Sequence, residues 1–375
     1  IVAIYTQNSD RQVQSIAYST DNGRTFTKYE NNPVLVSEAR DFRDPKVFWY
    51  EGTKRWIMVL AVGQEMQFFS SPNLKDWTFE SSFGKGHGAH GNVWECPDLF
   101  ELPVEGTNEK KWVLLCSLGD GPFGDSATQY FVGSFNGKEF VNESPSKTKW
   151  MDWGKDHYAT VTWSDAPDNR HIAIAWMSNW QYANDVPTSQ YRSPNSVPRD
   201  LSLFTVDGET YLQSAPSPEL LALRDASKKR SFKVNGTRTI KEMIPGNDGA
   251  YEIELTIENQ HADVIGFRLY NDKGEEVDMQ YDMKEKKFSM DRRKSGDVGF
   301  NENFPMLTWT AIESGKDELK LRLFVDKSSV EAFGDGGRFV MTNQVFPSEP
   351  YTHIDFYSKG GAYKVDSFVI YKLKK

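Results

Sequence analysis

The sequence predicts an all-β chain built as a β-propeller followed by a β-sandwich. Helical periodicity is nearly absent before about residue 215, where short aromatic and β-branched runs alternate with Gly, Asn, Asp and Pro turns. A loose pattern also recurs at roughly 50 to 60 residues, the spacing of four-stranded propeller blades. Beyond the joint near Ala215 the pattern becomes one of longer alternating strands, which fits a sandwich.

The elements follow in order. Ile1 to Thr6 reads as a strand, and Lys46 to Val62 (KVFWYEGTKRWIMVLAV) reads as a hairpin. The recurring unit is AYSTDNGRTFT (Ala17 to Thr27), FFSSPNLKDWT (Phe68 to Thr78) and FVGSFNGKEFV (Phe131 to Val141). Each has an aromatic strand, a polar turn and an aromatic that closes the next strand; hairpins of similar composition are the simpler alternative. At APSPELLALRDAS, Ser217 is a candidate N-cap with Pro218 at the first helical position, a short helical joint. YEIELTIE, VIGFRLY and ELKLRLFVD then read as sandwich strands whose charged residues mostly face solvent. The expected division is a propeller over residues 1–215, a linker over 216–227 and a sandwich over 228–375.

A length of 375 residues fits two domains. The formal charge of −9 supplies no basic footprint for nucleic acid or an anionic membrane, and a neutral partner fits better. Aromatics form 14% of the chain; most fill β cores, and others offer flat faces to sugar rings. Cys96 and Cys116 leave one bridge or two free thiols open. No run approaches the ~20 apolar residues of a membrane span, and IVAIYTQNSD lacks a signal-peptide pattern.

Two motifs carry candidate chemistry. NVWECPDLFE (Asn92 to Glu101) sets Glu95 in an apolar run, where a carboxylate is either a hydrogen-bonded structural group or a tuned acid. FRDPKVFWY places Arg43 and Asp44 before Pro45, which biases Asp44 toward an extended conformation at a strand entrance. Either motif alone fits a structural role as well. Together they fit glycoside cleavage, which needs one protonated and one ionised carboxyl group. An apolar setting among Trp94, Cys96 and Leu99 would raise the pKa of Glu95 and suit it to the acid role, while Arg43 would keep Asp44 ionised.

RDP (Arg43 to Pro45), ECPDLF (Glu95 to Phe100), IAWMSNWQYANDVPT (Ile172 to Thr188) and SVPRDLSL (Ser196 to Leu203) resemble family 32 of the glycoside hydrolases, the family of invertases, inulinases and levanases. MDRRKSG (Met290 to Gly296) and FVDKSSVEAFGDGGR (Phe324 to Arg338) resemble its sandwich motifs. The resemblance implies a five-bladed propeller joined to a β-sandwich, and retaining hydrolysis that releases fructose from levan, inulin or sucrose. It implies Glu95 as general acid and base, Asp44 as the stabiliser holding fructosyl hydroxyls, and Arg43, Cys96, Tyr158 and Trp180 around the sugar. For Tyr158 and Trp180, core aromatics remain the alternative. It also implies an extracellular, periplasmic or cell-surface location and no cofactor.

One departure stands out: the family's nucleophile motif, of the type W-M-N-D-P-N-G, does not occur in the sequence. The chain is expected to begin roughly a hundred residues into the family's pattern, within an incomplete first part of the propeller. The isolated chain is therefore expected to show little hydrolase activity, an expectation that normal fructose release from sucrose, inulin and levan would overturn. A missing segment or a second copy is expected to cover the open blade face. A noncatalytic fructan-binding protein and a five-bladed arabinan hydrolase are the rival readings; the latter has no reason to carry ECPD.

His87 and His90 in GKGHGAHGN lack companion metal ligands, so a mobile glycine loop at a pocket rim is expected rather than a metal site. Asn142-Glu-Ser and Asn235-Gly-Thr fit glycosylation sequons. No phosphate loop and no Ser/His/Asp constellation is present.

Overall fold

The computed structural model describes residues 1–241, 244, 246, 248–312 and 318–374. It is almost entirely β, the architecture of propeller blades followed by a sandwich. The first sheet joins Val2–Asn8, Gln12–Tyr18 and Thr27–Lys28, and the second runs Phe42–Tyr50, Arg55–Val62, Glu65–Ser71, Thr78–Phe83. The third runs Trp94–Pro103, Lys110–Gly119, Ser126–Phe135, Phe140–Asn142. All three are antiparallel meanders, as blades must be when consecutive strands are joined by tight turns.

The recurring sequence unit marks the closing hairpin of each of these sheets. Asp21 Oδ1 accepts the amides of Arg24 and Thr25, Asn73 Oδ1 those of Lys75 and Asp76, and Asn136 Oδ1 those of Lys138 and Glu139. An Asp or Asn side chain therefore folds each polar stretch back, by the amides two and three residues on at Asn73 and Asn136 and three and four on at Asp21, and the likeness goes beyond hairpin composition.

The chain divides into two compact units: Ile1–Gly121, Ala127–Trp150 and Ala159–His171 form one, and Pro122–Ser126, Met151–Tyr158 and Ile172–Lys375 the other. In the first, Ile57, Val59, Phe68, Trp94, Leu114 and Phe131 make a buried core between the second and third sheets. In the second, Ile172–Trp176, Arg199–Val206 and Glu209–Pro216 form an antiparallel run. The expected joint is present as a 3-10 helix, Pro218–Leu223, and Ser217 precedes it without a side-chain cap because its hydroxyl donates to Asp200 Oδ1 instead.

Two six-stranded sheets follow. One is ordered Arg224–Val234, Tyr363–Leu373, Tyr251–Asn259, Leu319–Asp326, Ser329–Gly334, Phe339–Gln344; the other Thr237–Ile240, His353–Lys359, Val264–Tyr270, Glu276–Asp282, Lys287–Lys294, Leu307–Ala311. Their inner faces share one core that includes Tyr251, Phe267, Met279, Phe288 and Phe356. Glu276–Asp282 alternates between buried and half-buried, as a half-solvated strand should.

Ser329–Gly334 and Phe339–Gln344 are buried at every position. Their outward face packs against Leu220 and Val197, and the edge of the last strand is taken by Met151–Tyr158, which lies along it: Trp153 N donates to Val340 O at 2.8 Å and Asp156 N to Thr342 O at 3.1 Å. Gly154 permits this approach, since a Cβ there would lie 1.9 Å from Thr342 O. Sandwich charges, expected to be mostly solvated, have exceptions that include three ion-paired residues. Glu252, Arg292 and Glu331 are 0%, 0% and 2% exposed. Glu252 is paired with Arg224 and Arg322, Arg292 with Asp156, and Glu331 with Arg199.

Candidate active site

The two candidate motifs are built alike. Opposite the neighbouring strand, Arg43 pairs with Ala61 and Lys46 with Val59, so three steps on one strand span two on the other. Glu95 pairs with Ser117 and Asp98 with Leu115 in the same way. Each motif is therefore a β-bulge, and Pro45 and Pro97 sit where a ladder donor is not needed. The residue before each proline is left-handed, Asp44 at φ 62° and Cys96 at φ 49°. This corrects the expectation that Pro45 holds Asp44 extended: the extra residue of the bulge takes up the turn. Such a conformation costs a non-glycine residue on the order of 1–3 kcal/mol, and surrounding contacts must hold it.

Those contacts join the two motifs position by position. Arg43 Nη2 donates to Glu95 Oε1 at 2.9 Å and its Nε to the same oxygen at 3.3 Å. The Cys96 amide donates to Asp44 Oδ2 at 3.0 Å, and the Asp44 amide donates to Thr6 Oγ1 at 3.1 Å. Two residues on, Lys46 Nζ meets Asp98 Oδ2 at 2.9 Å, and both reach Thr162. Strand alternation would aim Arg43 and Asp44 to opposite faces; the bulge lets both reach Trp94–Pro103, the first strand of the third sheet.

The electrostatic arrangement differs from the expected one. Arg43 serves Glu95 and Asp41, the latter at 2.7 Å, rather than Asp44. Burial pulls the Arg43 pKa down, but the hydrogen bonds and charges of Asp41 and Glu95 outweigh it and the net shift is upward. Nor is the Glu95 carboxylate set in an apolar wall. Trp94 and Leu99 belong to the buried core, while the Glu95 side chain is 26% exposed and meets a guanidinium. Burial, reinforced by the charges of Asp44 and Glu95, pushes the Cys96 thiol pKa far up, so it behaves as a neutral group. Both cysteines are free.

Tyr158 and Trp180 lie in the second unit. Tyr158 is 5% exposed and meets Trp176 edge-on at 6.1 Å, and Trp176 in turn lies 4.8 Å from Trp180, which is 57% exposed. The Trp180 amide donates to Ser126 Oγ at 3.0 Å. His87 and His90 are turned to aromatic faces, stacking on Phe83 and Trp94 at 4.8 and 5.1 Å. The loop that carries them is pinned, with Gln64 Nε2 donating to His90 O and the Ala89 amide donating to Gln129 Oε1. Asp41, Gln12, whose Oε1 accepts from Arg43 Nη1 at 3.3 Å, Trp176 and Ser126 were not foreseen. The first two lie in polar stretches with no motif, whereas Trp176, four residues before Trp180 in IAWMSNW, was a visible signal.

The chain belongs to glycoside hydrolase family 32: the family's N-terminal domain matches residues 1–216 and its C-terminal domain residues 219–372. It is 46% identical to a levanase of Bacillus subtilis (strain 168), over 100% of this chain and 57% of that protein. A levanase of Bacillus sp. (strain L7) is 38% identical, again over 100% of the chain and 43% of the relative. The chain thus spans about half the length of these curated relatives. Among solved structures, the exo-inulinase from Aspergillus awamori superposes with a TM-score of 0.90 at 32% identity, over 100% of this chain and 79% of that one.

Proposed function

We propose that the protein carrying this chain is a retaining glycoside hydrolase that releases fructose from β-fructans, levan or inulin, or from sucrose. The carrying observation is the interlocked pair of bulges, which presents Glu95 and Asp44 side by side on the first strands of the second and third sheets, with an arginine between Glu95 and Asp41. The levanase and exo-inulinase relatives support the substrate class.

In this reading Glu95 donates a proton to the leaving glycosidic oxygen and later accepts one from water. Arg43 orients the carboxylate from one side. Asp44 accepts hydrogen bonds from fructosyl hydroxyls, and its fixed partner, the Cys96 amide, keeps it aimed. Trp180 offers an exposed face to a furanose ring, with Tyr158 behind it through Trp176. We assign no nucleophile within the chain. An extracellular location accords with relatives described as extracellular exo-inulinases.

The test is Glu95→Gln in the protein that carries the chain. Fructose release from levan should fall by about 10²- to 10⁴-fold, with KM changed little. Release at the parent rate would sink the assignment.

A further inference from the structure

We propose that Arg292, a residue of the sandwich, is the positioning residue for the two aromatic rings read as sugar contacts, Tyr158 and Trp180. The proposal rests on that reading of the rings and adds what holds them. Arg292 lies on Lys287–Lys294 and is 0% exposed. Its Nη1 donates to the Asp156 carboxylate and to Gln344 O at 3.1 Å, its Nη2 to the Tyr182 hydroxyl at 2.8 Å and its Nε to Phe304 O at 2.8 Å. Tyr182 in turn donates to Asp156 Oδ1 at 2.5 Å, which closes a triangle of three side chains.

Two of its corners lie next to the rings in sequence: Asp156 is two residues before Tyr158, and Tyr182 is two residues after Trp180. The segments between these corners and the rings are short and lack regular structure of their own at residues 177–182, so the triangle sets where they run. Each corner is tied down further. The Gln344 amide donates to Asp156 Oδ2 at 2.7 Å, and Tyr182 packs edge-on against Phe304 at 5.3 Å. Lys155 Nζ bridges Phe123 O and Gln181 Oε1 at 2.8 and 2.7 Å, which links the same two segments a second time. A planar guanidinium with five donors in a fixed fork can satisfy this geometry, whereas a lysine ammonium cannot reproduce it.

Positioning makes a prediction that a purely stabilising role does not: the effect on sugar binding runs through the rings. Binding of a linear β-fructan trisaccharide to the full chain is measured by titration calorimetry for the parent, Arg292→Lys, Tyr182→Phe, Trp180→Ala and the Tyr182→Phe/Trp180→Ala double variant. Folding is checked by circular dichroism, and Tyr182→Phe keeps the test open if Arg292→Lys does not fold. Tyr182→Phe alone should bind about tenfold more weakly, and that factor should shrink once Trp180 is alanine, the remainder running through Tyr158. Folded variants that bind as the parent does, or losses that multiply in full, overturn the proposal. Trp180→Ala binding like the parent, or a parent that does not bind the trisaccharide, defeats the reading of the rings, and the positioning role falls with it.

Discussion

Cys96 holds Asp44 through its backbone amide. The Asp44 carboxylate takes the Cys96 amide, and the left-handed turn that presents this amide is the feature that the motif position supplies. The thiol itself is held protonated by burial and by the charges of Asp44 and Glu95, and Cys116 is fully buried. Native protein at pH 8 should therefore resist iodoacetamide at both cysteines and take two labels in denaturant; fast labelling of the native chain would contradict this. At this scale the sequence was informative about identity and silent about pairing. RDP and ECPD were legible as a carboxylate constellation, but Arg43 was assigned to the wrong carboxylate. Sequence adjacency favoured Asp44, while the bulge turns the guanidinium across to Glu95, 52 residues away.

Met151–Tyr158 is the element that most needed the structure. Read along the chain it is a short connection ahead of a strand, yet it docks along Phe339–Gln344 and brings Asp152, Lys155, Asp156 and His157 into full burial. His157 carries a measurable consequence. Burial and then the Arg199 charge hold its pKa down to about 3, against Asp152, which pulls the other way; the ordinary value is 6.5. Between those values the unfolded chain binds a proton that the folded chain refuses. The contribution is therefore whole above pH 6.5 and is lost as pH falls toward 3, at about 1.4 kcal/mol per pH unit. Urea unfolding from pH 7 to 4 should show a shallower acid loss in His157→Gln than in the parent; equal slopes would refute the linkage. The closing hairpins of the three sheets were the opposite case, legible because a local Asp or Asn side chain fixes them.

At the scale of the molecule, three residues of the motifs that carry the family resemblance, Arg199, Arg292 and Glu331, prove to be buried ion-pair members. Arg199 of SVPRDL donates to Asp152 at 2.8 Å and to Glu331 of the SSVEAFG stretch at 2.9 Å, and all three are almost fully buried. One guanidinium serves two carboxylates. Burial pushes Asp152 up, but Arg199 and its hydrogen bonds bring it below the usual range, whereas for Glu331 burial prevails and the pKa is raised. Arg199→Met should cost about 3–5 kcal/mol because it strands buried charge, and Glu331→Gln distinctly less. Denaturant unfolding measures both, and an Arg199→Met variant as stable as the parent would refute the account. The sequence by itself determined the β class, the closing hairpins, the helical joint, the family and the two carboxylate motifs. Alternation, turn chemistry and motif spacing are local properties of a chain, so they can be read along it. Only the tertiary structure decided that Arg43 meets Glu95, that the residues before both prolines are left-handed, and that Arg199, Arg292 and Glu331 are buried. Those facts depend on which distant strand arrives opposite each side chain, and a buried charge is tolerable only once its partner is there.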